Sequence, residues 1–355
     1  MRLQKLVSLM KERNFDGALI SPGTNLYYLT GLSIHEAGER LTVLVVGADG
    51  DYRLLAPNLY ENTIMNFPVT FWRDGENPYD KLAWMLAEFH LSDGRLLIED
   101  TMRADWLINL MRLGTFEFYP LSSLVRELRM RKDKHEIEMM GHAAKAADRV
   151  FGEILSWDLV GMRERELALK IELAIRELSD GISFEPIVAA GENGANPHHA
   201  PGDRRLRKGD MVILDYGARW KGYCSDITRT IALGKPDGRL VEIYEVVREA
   251  QENAFRAVGK GIKAGEVDRA ARETIKKAGY GRYFIHRTGH GLGLDVHEEP
   301  YIGPEGNVLL ENGMTFTIEP GIYIPGIGGV RIEDDVVVEG KGKRLTKAER
   351  ELIRL

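Results

Sequence analysis

Four acidic residues lie in or beside stretches that otherwise have the composition of β-strands. Asp215 and Asp226 belong to LDYGARWKGYCSDITR, whereas Glu319 and Glu333 belong to TIEPGIYIPGIGGVRIE. Aspartate is depleted in strands, and like charges that face each other across a sheet destabilise it. The placement therefore indicates a binding role, and carboxylate oxygens are suitable ligands for divalent cations.

Both acid pairs are predicted to face each other across a hairpin. A two-residue loop at Trp220–Lys221 would place the two aspartates in opposed positions, with Cβ atoms ~5 Å apart. An odd-length loop centred on Gly326 would do the same for the two glutamates. A glycine, Gly209 or Gly313, also lies six residues before the first acid of each pair. The pattern is typical of one hairpin used twice, and the four acids are expected to line one site.

Carboxylates gathered on a half-buried sheet repel one another unless they are protonated or neutralised by cations. Two divalent metal ions would balance the charge of the four acids. Oxygen-rich ligation favours Mn²⁺, and Co²⁺, Fe²⁺ or Zn²⁺ become suitable if an imidazole joins the ligands. The sequence does not choose among these metals.

Histidines supply candidate imidazoles. His290 lies between two glycines in HRTGHGLGLDVHEEP, where the backbone can approach a ligand closely, so it is the best candidate ligand. His198 lies in NPHHAPGD and, taken alone, is typical of a surface loop. Arg331 has the strand parity of Glu333 and should point to the same face. We expect structural or incidental roles for His199, His286 and Cys224.

Length and composition indicate an ordinary globular protein. The chain has 355 residues, a formal charge of −6 and one cysteine. Mixed-sign charge predicts no nucleic-acid partner, and the single cysteine fits a reducing compartment. No stretch approaches the ~20 apolar residues of a membrane span. We therefore expect a cytoplasmic protein with no membrane partner.

Alternating elements predict two domains. Residues 1–125 alternate strand and helix patterns, which indicates an α/β layer domain. The charged segment 126–134 is interpreted as a linker or solvated helix. Asp133, near its end, is a candidate N-cap of the long amphipathic helix that follows. Residues 135–355 are predicted to form an α+β domain whose helices cover one face of an antiparallel sheet.

Several motifs resemble those of the pita-bread metallopeptidases, the family of methionine aminopeptidase, aminopeptidase P and prolidase. They are DYGARWKGYCSD, HRTGHGLGLDVHEEP, TIEPGIY and GVRIEDD. The resemblance implies a pita-bread fold and a dinuclear metal site, with five ligands that are all present: Asp215, Asp226, His290, Glu319 and Glu333. The motif NLYYLTG resembles the creatinase-like N-terminal domain of the proline-directed branch.

The resemblance also implies an activity, which is hydrolysis of Xaa-Pro dipeptides by a hydroxide that bridges two metal ions. Glu319 would shuttle the proton, His297 and His198 would bind the scissile region of the substrate, and Arg331 would orient a ligand or a substrate carboxylate. Three alternatives stay open: aminopeptidase P activity on longer Xaa-Pro peptides, a metal-free binding module, and a two-metal phosphoesterase.

A homodimer is the expected assembly, because the resemblance suggests that the N-terminal domain of a partner helps to close the active site. The segment SIHEAGER, which follows NLYYLTG, is the candidate for the element that reaches into the neighbouring site. We therefore predict substrate-binding roles for His35 and Arg40.

Overall fold

The structure is a computed structural model that describes residues 2–34 and 38–355. The chain divides into two compact units, Met1–Arg129 and Met130–Leu355. Each unit has its own buried apolar cluster. Within the described residues, no helix has both the length and the apolar character to cross a membrane.

The first unit is built on a six-stranded mixed sheet with the strand order β4-β3-β2-β1-β5-β6. The central strand β1 is antiparallel to β2 and parallel to β5. Its elements are α1 (Arg2–Glu12), β1 (Gly17–Ile20), α2 (Thr24–Thr30), β2 (Val43–Gly47), β3 (Tyr52–Pro57), β4 (Val69–Trp72), α3 (Pro78–Glu88), β5 (Asp93–Ile98), α4 (Ala104–Leu110), β6 (Thr115–Pro120) and α5 (Ser122–Arg129).

The second unit combines four long helices with short, mostly antiparallel sheets. The strand orders are β11-β10-β7, β12-β9-β8, β14-β13-β15-β18-β19 and β16-β17. Its elements are α6 (Lys134–Ile154), α7 (Glu164–Leu178), β7 (Gly181–Ile182), β8 (Ile187–Ala190), β9 (Met211–Tyr216), β10 (Ala218–Trp220), β11 (Tyr223–Cys224), β12 (Ile227–Ala232), α8 (Gly238–Ala257), α9 (Ala264–Lys277), β13 (Gly289–Gly291), β14 (Glu298–Ile302), β15 (Thr315–Ile318), β16 (Gly321–Ile324), β17 (Gly328–Arg331), β18 (Asp334–Glu339) and β19 (Lys341–Arg344).

Helix α6 begins where its sequence predicts. The Asp133 carboxylate accepts a hydrogen bond from the Glu136 backbone N–H, and the Glu136 carboxylate accepts one from the Asp133 N–H. Two helix-end donors are satisfied in this way. Of the charged segment 126–134, the first four residues complete α5 and only the residues that follow connect it to α6.

The predicted register of the first acidic hairpin is wrong. Trp220 pairs with Tyr223, so the loop residues are Lys221 and Gly222, and Asp215 faces Thr228 instead of Asp226. Lys221 and Gly222 both have positive φ, at 47° and 83°. A two-residue loop of this type favours glycine at its second position, whereas a loop at Trp220–Lys221 would place two bulky residues there.

The predicted register of the second acidic hairpin is confirmed on both sides of the glutamates. The pair Ile324–Gly328 centres the loop on Gly326. Ile318 pairs with Asp334 in the same register beyond the two acids. Glu319 therefore follows the end of β15 and Glu333 precedes the start of β18, in facing positions.

The two halves of the second unit repeat one arrangement. Gly209 and Gly313, which precede β9 and β15, both have positive φ, at 97° and 86°. Asp215 is the penultimate residue of β9, and Glu319 directly follows β15. The second acid of each pair, Asp226 or Glu333, immediately precedes β12 or β18. The Glu333 backbone N–H donates to the Thr228 carbonyl, which joins the two halves at the acids.

Candidate metal centre and its cavity

The second unit contains a cavity of about 450 Å³ at the point where the two acidic hairpins meet. Both predicted acid pairs, His198, His290, His297 and Arg331 all line it. The full lining is Phe184, Ile187, Pro197, His198, Asp215, Asp226, His286, Arg287, His290, Val296, His297, Glu319, Arg331 and Glu333. The sequence therefore identified most of the charged wall of one cavity.

Three side chains in the described part of the chain form a cluster that could hold a metal ion. Asp226, His290 and Glu333 each offer one atom, and these atoms all lie within 4.8 Å of one another. His290 Nε2 lies 3.7 Å from Asp226 Oδ2 and 3.3 Å from Glu319 Oε1. Such spacing allows one small cation to contact several of these atoms at once.

The imidazole of His290 is oriented by its own backbone segment. Its Nδ1 lies 3.1 Å from the Gly291 carbonyl, which can only accept, so Nδ1 carries the proton and Nε2 presents a lone pair to the carboxylates. Burial lowers the pKa of His290 to about 3, which keeps the ring neutral. A lone pair that faces carboxylate oxygens is repelled by them unless a cation lies between.

Glycines on both sides of His290 allow this close packing. A Cβ at Gly289 would lie 1.8 Å from the Thr317 carbonyl oxygen. A Cβ at Gly291 would lie 2.4 Å from the Glu299 carbonyl. Only glycine fits at either position. The GHG motif thus fixes the imidazole at the junction of β13, β14 and β15.

The carboxylates lack protein partners for part of their oxygens. Asp215 Oδ1, Asp226 Oδ1 and Glu333 Oε1 are buried and have no hydrogen-bond partner within the described chain. Burial, together with Glu333 and Asp215, raises the pKa of Asp226 well above its ordinary value. Burial, together with Glu319 and Asp215, does the same for Glu333. Without cations the ionised form of these acids is therefore disfavoured.

The donor set fits divalent metal ions. Three partnerless carboxylate oxygens and one free imidazole nitrogen converge on the same cavity. Arg331 is the nearest protein cation and donates to Asp215, to the Thr228 hydroxyl at 3.1 Å and to the Tyr323 hydroxyl at 3.0 Å. Arg331 and Arg287, the two guanidinium groups of the cavity lining, leave an excess of negative charge on the four carboxylates. Oxygen ligands together with an imidazole suit Mn²⁺, Co²⁺, Fe²⁺ and Zn²⁺.

Two further predicted histidines lie at the cavity and are exposed to solvent. The His297 ring centroid is 4.1 Å from that of His290, and partial burial lowers the pKa of His297. His198 follows a 3₁₀ turn, Gly191–Ala195, and its backbone N–H donates to the Asn196 side chain. Both rings are therefore placed to meet a ligand that enters the cavity.

The residues expected to be structural behave differently from one another. His199 lies 2.8 Å from the buried carboxylate of Glu164, which ties the loop down. Cys224 is buried, and burial raises its pKa to about 11. His286 departs from that expectation, because it lines the cavity and its Nε2 lies 2.9 Å from the Tyr323 hydroxyl.

Of the two residues predicted in SIHEAGER, the structure describes only Arg40. His35 lies outside the described residues. Arg40 belongs to the first unit, where its guanidinium pairs with Asp74 through contacts of 3.1 and 3.3 Å. Their predicted substrate-binding roles stay predictions.

Sequence reasoning missed part of the wall. Phe184, Ile187, Pro197 and Val296 form its apolar part. Arg287 adds a second guanidinium, stacked over Tyr301 at 4.2 Å. Arg287 could have been found, because it lies inside HRTGHG. Phe184 and Ile187 carry no spacing signal that links them to the acids.

The fold and the site define an α+β metallopeptidase. A model of metallopeptidase family M24 matches residues 138–340, and a model of the creatinase/prolidase N-terminal domain matches residues 2–131. The chain belongs to metallopeptidase family M24, in the branch with a creatinase/prolidase N-terminal domain.

Full-length relatives agree with this assignment. An Xaa-Pro dipeptidase of Pyrococcus furiosus is 39% identical over 99% of this chain and 99% of its own length. A dipeptidase structure from Pyrococcus horikoshii OT3 is 74% identical with a TM-score of 0.99 and covers 100% of both chains. A prolidase structure from Thermococcus sibiricus is 49% identical with a TM-score of 0.97 and covers 100% of this chain and 98% of that one.

Proposed function

We propose that this chain hydrolyses the Xaa-Pro bond of dipeptides in a metal-dependent reaction. The observation that carries the proposal is the convergence of four acids and one neutral imidazole on a single cavity, with three carboxylate oxygens lacking partners. The names of the relatives, Xaa-Pro dipeptidase and prolidase, support a substrate with proline in second position.

The proposed cofactor is a pair of divalent ions per subunit, Mn²⁺ or Co²⁺ ahead of Zn²⁺ or Fe²⁺. Asp215, Asp226, His290, Glu319 and Glu333 would hold them. When bound, such ions supply Lewis acidity toward the substrate carbonyl and lower the pKa of a bound water. The remaining chemistry belongs to side chains of this chain.

Glu319 is the proposed proton carrier. Its Oε1 accepts from the Thr317 hydroxyl at 3.2 Å and lies 3.3 Å from His290 Nε2. In the metal-free chain, burial raises the pKa of Glu319 to about 7, and a raised carboxyl pKa favours proton exchange at this side chain. It would take the proton from the attacking water and give it to the proline nitrogen as the C–N bond breaks.

The exposed histidines and Arg331 would position the reacting groups. His198 and His297 would donate to the substrate carbonyl as negative charge develops on its oxygen. The Arg331 guanidinium donates hydrogen bonds to Asp215, to the Thr228 hydroxyl and to the Pro197 carbonyl. Because it donates to the Asp215 carboxylate, Arg331 would orient that side chain. Arg287 and His198 are the basic groups that could meet the free carboxylate of a dipeptide.

The cavity suits a small substrate that contains proline. Its volume of about 450 Å³ falls in the range of ~300–1,000 Å³ that is typical of small-molecule sites. Phe184, Ile187 and Val296 offer an apolar wall for the side chain and the ring. The proline nitrogen has no N–H and its ring fixes φ, so recognition by shape replaces the usual backbone hydrogen bond.

The proposal extends to the oligomeric state and the cellular location of the protein. We propose a cytoplasmic homodimer, in which the segment Ser33–Arg40 of one subunit approaches the active site of the other. The family resemblance of NLYYLTG and the adjoining segment supports this arrangement.

A metal-depletion assay tests the proposed function. The chelated protein should not cleave Leu-Pro or Met-Pro, and added Mn²⁺ or Co²⁺ should restore cleavage. Leu-Leu and a Leu-Pro-Xaa tripeptide serve as controls for proline and for chain length. Equal cleavage of the tripeptide would replace the dipeptidase proposal by aminopeptidase activity, and no metal-restored cleavage of either prolyl peptide would overturn the function.

A further inference from the structure

Arg229 on β12 is a fully buried arginine whose five N–H donors all have acceptors. Its side chain is 1% exposed. Nε donates to the Glu349 carbonyl at 2.8 Å, and one terminal nitrogen donates to the Thr228 and Glu333 carbonyls at 2.9 and 2.5 Å. The other donates to the Asp334 carboxylate and the Ala348 carbonyl, both at 2.8 Å. A planar guanidinium alone offers this number of donors in fixed directions.

Arg229 and its neighbour Thr228 hold Glu333 at three points. The Glu333 backbone N–H donates to the Thr228 carbonyl at 3.1 Å, and its own carbonyl accepts from Arg229. The Thr228 hydroxyl donates to Glu333 Oε2 at 2.6 Å. Of the two carboxylate oxygens of Glu333, only Oε1 has no hydrogen-bond partner among the described residues. The rotamer of this carboxylate is thus fixed before any ion binds.

Arg229 also contacts the segment 345–355, which we call the strap. The strap is attached independently by the Asp148 carboxylate, which accepts from the backbone N–H groups of Lys347 and Ala348 at 2.8–2.9 Å. The Tyr244 hydroxyl donates to the Arg350 carbonyl at 3.0 Å. These contacts hold the strap carbonyls in place, so the carbonyls can orient the Arg229 guanidinium.

We propose that the strap and Arg229 act as a positioning device for the metal ligand Glu333. The inference rests on the proposed function, because it takes Glu333 to be a ligand. The chain of contacts runs from Asp148 through the strap carbonyls to Arg229 and then to the Glu333 backbone. Loosening the strap would let Arg229 shift, and the carboxylate would lose the orientation that its unpartnered oxygen needs. Neither Asp148 nor the strap lines the cavity.

Two variants test the device at different distances. Arg229→Lys removes donors next to Glu333, whereas Asp148→Asn weakens the strap attachment and leaves Arg229 in place. Outer contacts of metal ligands typically change metal affinity by 10–100-fold, so we expect about a tenfold weaker affinity for Mn²⁺ in Asp148→Asn and a larger loss in Arg229→Lys. The measurements are calorimetric titration of the chelated proteins with Mn²⁺ and the visible spectrum of each Co²⁺-loaded protein.

Glu252→Gln is the matched control. Glu252 is a partly buried acid that pairs with Arg344, itself a partner of Asp334, but it contacts neither Arg229 nor the strap. The variant Glu252→Gln removes one negative charge, as Asp148→Asn does. A general electrostatic effect on metal affinity would therefore appear in both variants. We expect the Mn²⁺ affinity of Glu252→Gln to stay within about twofold of wild type and its Co²⁺ spectrum to match.

The outcomes separate this inference from the proposed function. Weaker Mn²⁺ binding and a shifted Co²⁺ spectrum in Asp148→Asn, at an unchanged melting temperature of the chelated protein, support the device. Wild-type affinity and spectrum in a folded Asp148→Asn overturn it and leave the proposed function standing. A wild-type protein that binds no divalent ion overturns both. Metal binding without Xaa-Pro cleavage would overturn the proposed substrate but not the positioning role of Arg229 and the strap.

Discussion

Two adjacent acids at the start of β18 have opposite surroundings. Asp334 is fully buried, and its carboxylate receives Arg229 at 2.8 Å, Arg344 at 3.2 Å and Arg350 at 3.4 Å. Gln251 and Thr346 complete its contacts at 2.9 Å each. Glu333 is 1% exposed, accepts from the Thr228 hydroxyl, and faces other acids with one oxygen unpartnered.

The difference shows that this protein can neutralise a buried carboxylate with its own cations. Three arginines form ion pairs with Asp334, whereas among the described residues Arg331 is the one arginine that pairs directly with an acid of the cavity. A buried charge without a partner is strongly unfavourable, so the acids of the cavity require another source of positive charge. Divalent ions at the cavity meet this requirement, whereas the charge around Asp334 is already balanced.

The largest expected effect comes from Glu333→Gln. The isosteric amide should lower kcat/KM for Leu-Pro by about a thousandfold, because metal-dependent stabilisation is worth several kcal/mol. Metal content after dialysis should fall as well. The chelated variant should melt at or above the temperature of the chelated wild type, because one repelling charge is gone. A variant with full metal content and activity would contradict the assignment of Glu333.

Asp334→Asn should give the opposite result. Removal of the carboxylate leaves the buried Arg229 without its charged partner, which should lower the free energy of unfolding by about 3–5 kcal/mol. The folded fraction should keep its metal stoichiometry, which elemental analysis would measure after gel filtration. Glu252→Gln provides the control for an outlying ion pair, with an expected loss below about 1 kcal/mol. Equal losses in the two variants would mean that the Asp334 cluster is unimportant for stability.

The pH dependence of the chelated protein should report the uncompensated acids. Because the pKa values of Asp226 and Glu333 are raised, the folded chain binds more protons than the unfolded chain above the ordinary carboxyl pKa of about 4. The stability that the two protonated acids contribute is fully present below about pH 4, and it is lost as the pH rises through their raised pKa values. The melting temperature of the chelated protein should therefore fall as the pH rises above the ordinary carboxyl range. Excess Mn²⁺ should remove most of this slope, and parallel slopes would contradict the account.

The smallest expected effect concerns the predicted segment SIHEAGER. Replacing His35 and Arg40 by alanine should change the ratio of Leu-Pro to Leu-Pro-Xaa cleavage more than the turnover of Leu-Pro. Arg40→Lys is a useful companion, because it retains the charge beside Asp74 but not the paired contacts. Unchanged chain-length selectivity in all the variants would remove the proposed role of this segment.

The sequence predicted the second acidic hairpin correctly because Gly326 defines the centre of an odd loop. It failed at the first hairpin because two neighbouring two-residue loops were possible, and only the need for positive φ selects Lys221–Gly222. Asp226 still reaches the cavity because Gly217 lets the strands approach closely there. A Cβ at Gly217 would lie 1.9 Å from the Ser225 carbonyl oxygen.

Other parts of the site could not be predicted from spacing. The arginines around Asp334 come from β12, β19 and the strap, so their convergence depends on tertiary packing. The apolar wall at Phe184 and Ile187 likewise precedes Asp215 by about thirty residues in sequence and has no periodic relation to it. Arg331 was predictable because strand alternation places it on the face of Glu333.

Anomalous diffraction from crystals grown with Mn²⁺ tests most directly whether divalent ions neutralise the cavity acids. We expect two strong Mn²⁺ peaks among the five proposed ligands, Asp215, Asp226, His290, Glu319 and Glu333, and none beside Asp334. No peak among these ligands at saturating Mn²⁺, with only ordered water between their side chains, would contradict the account.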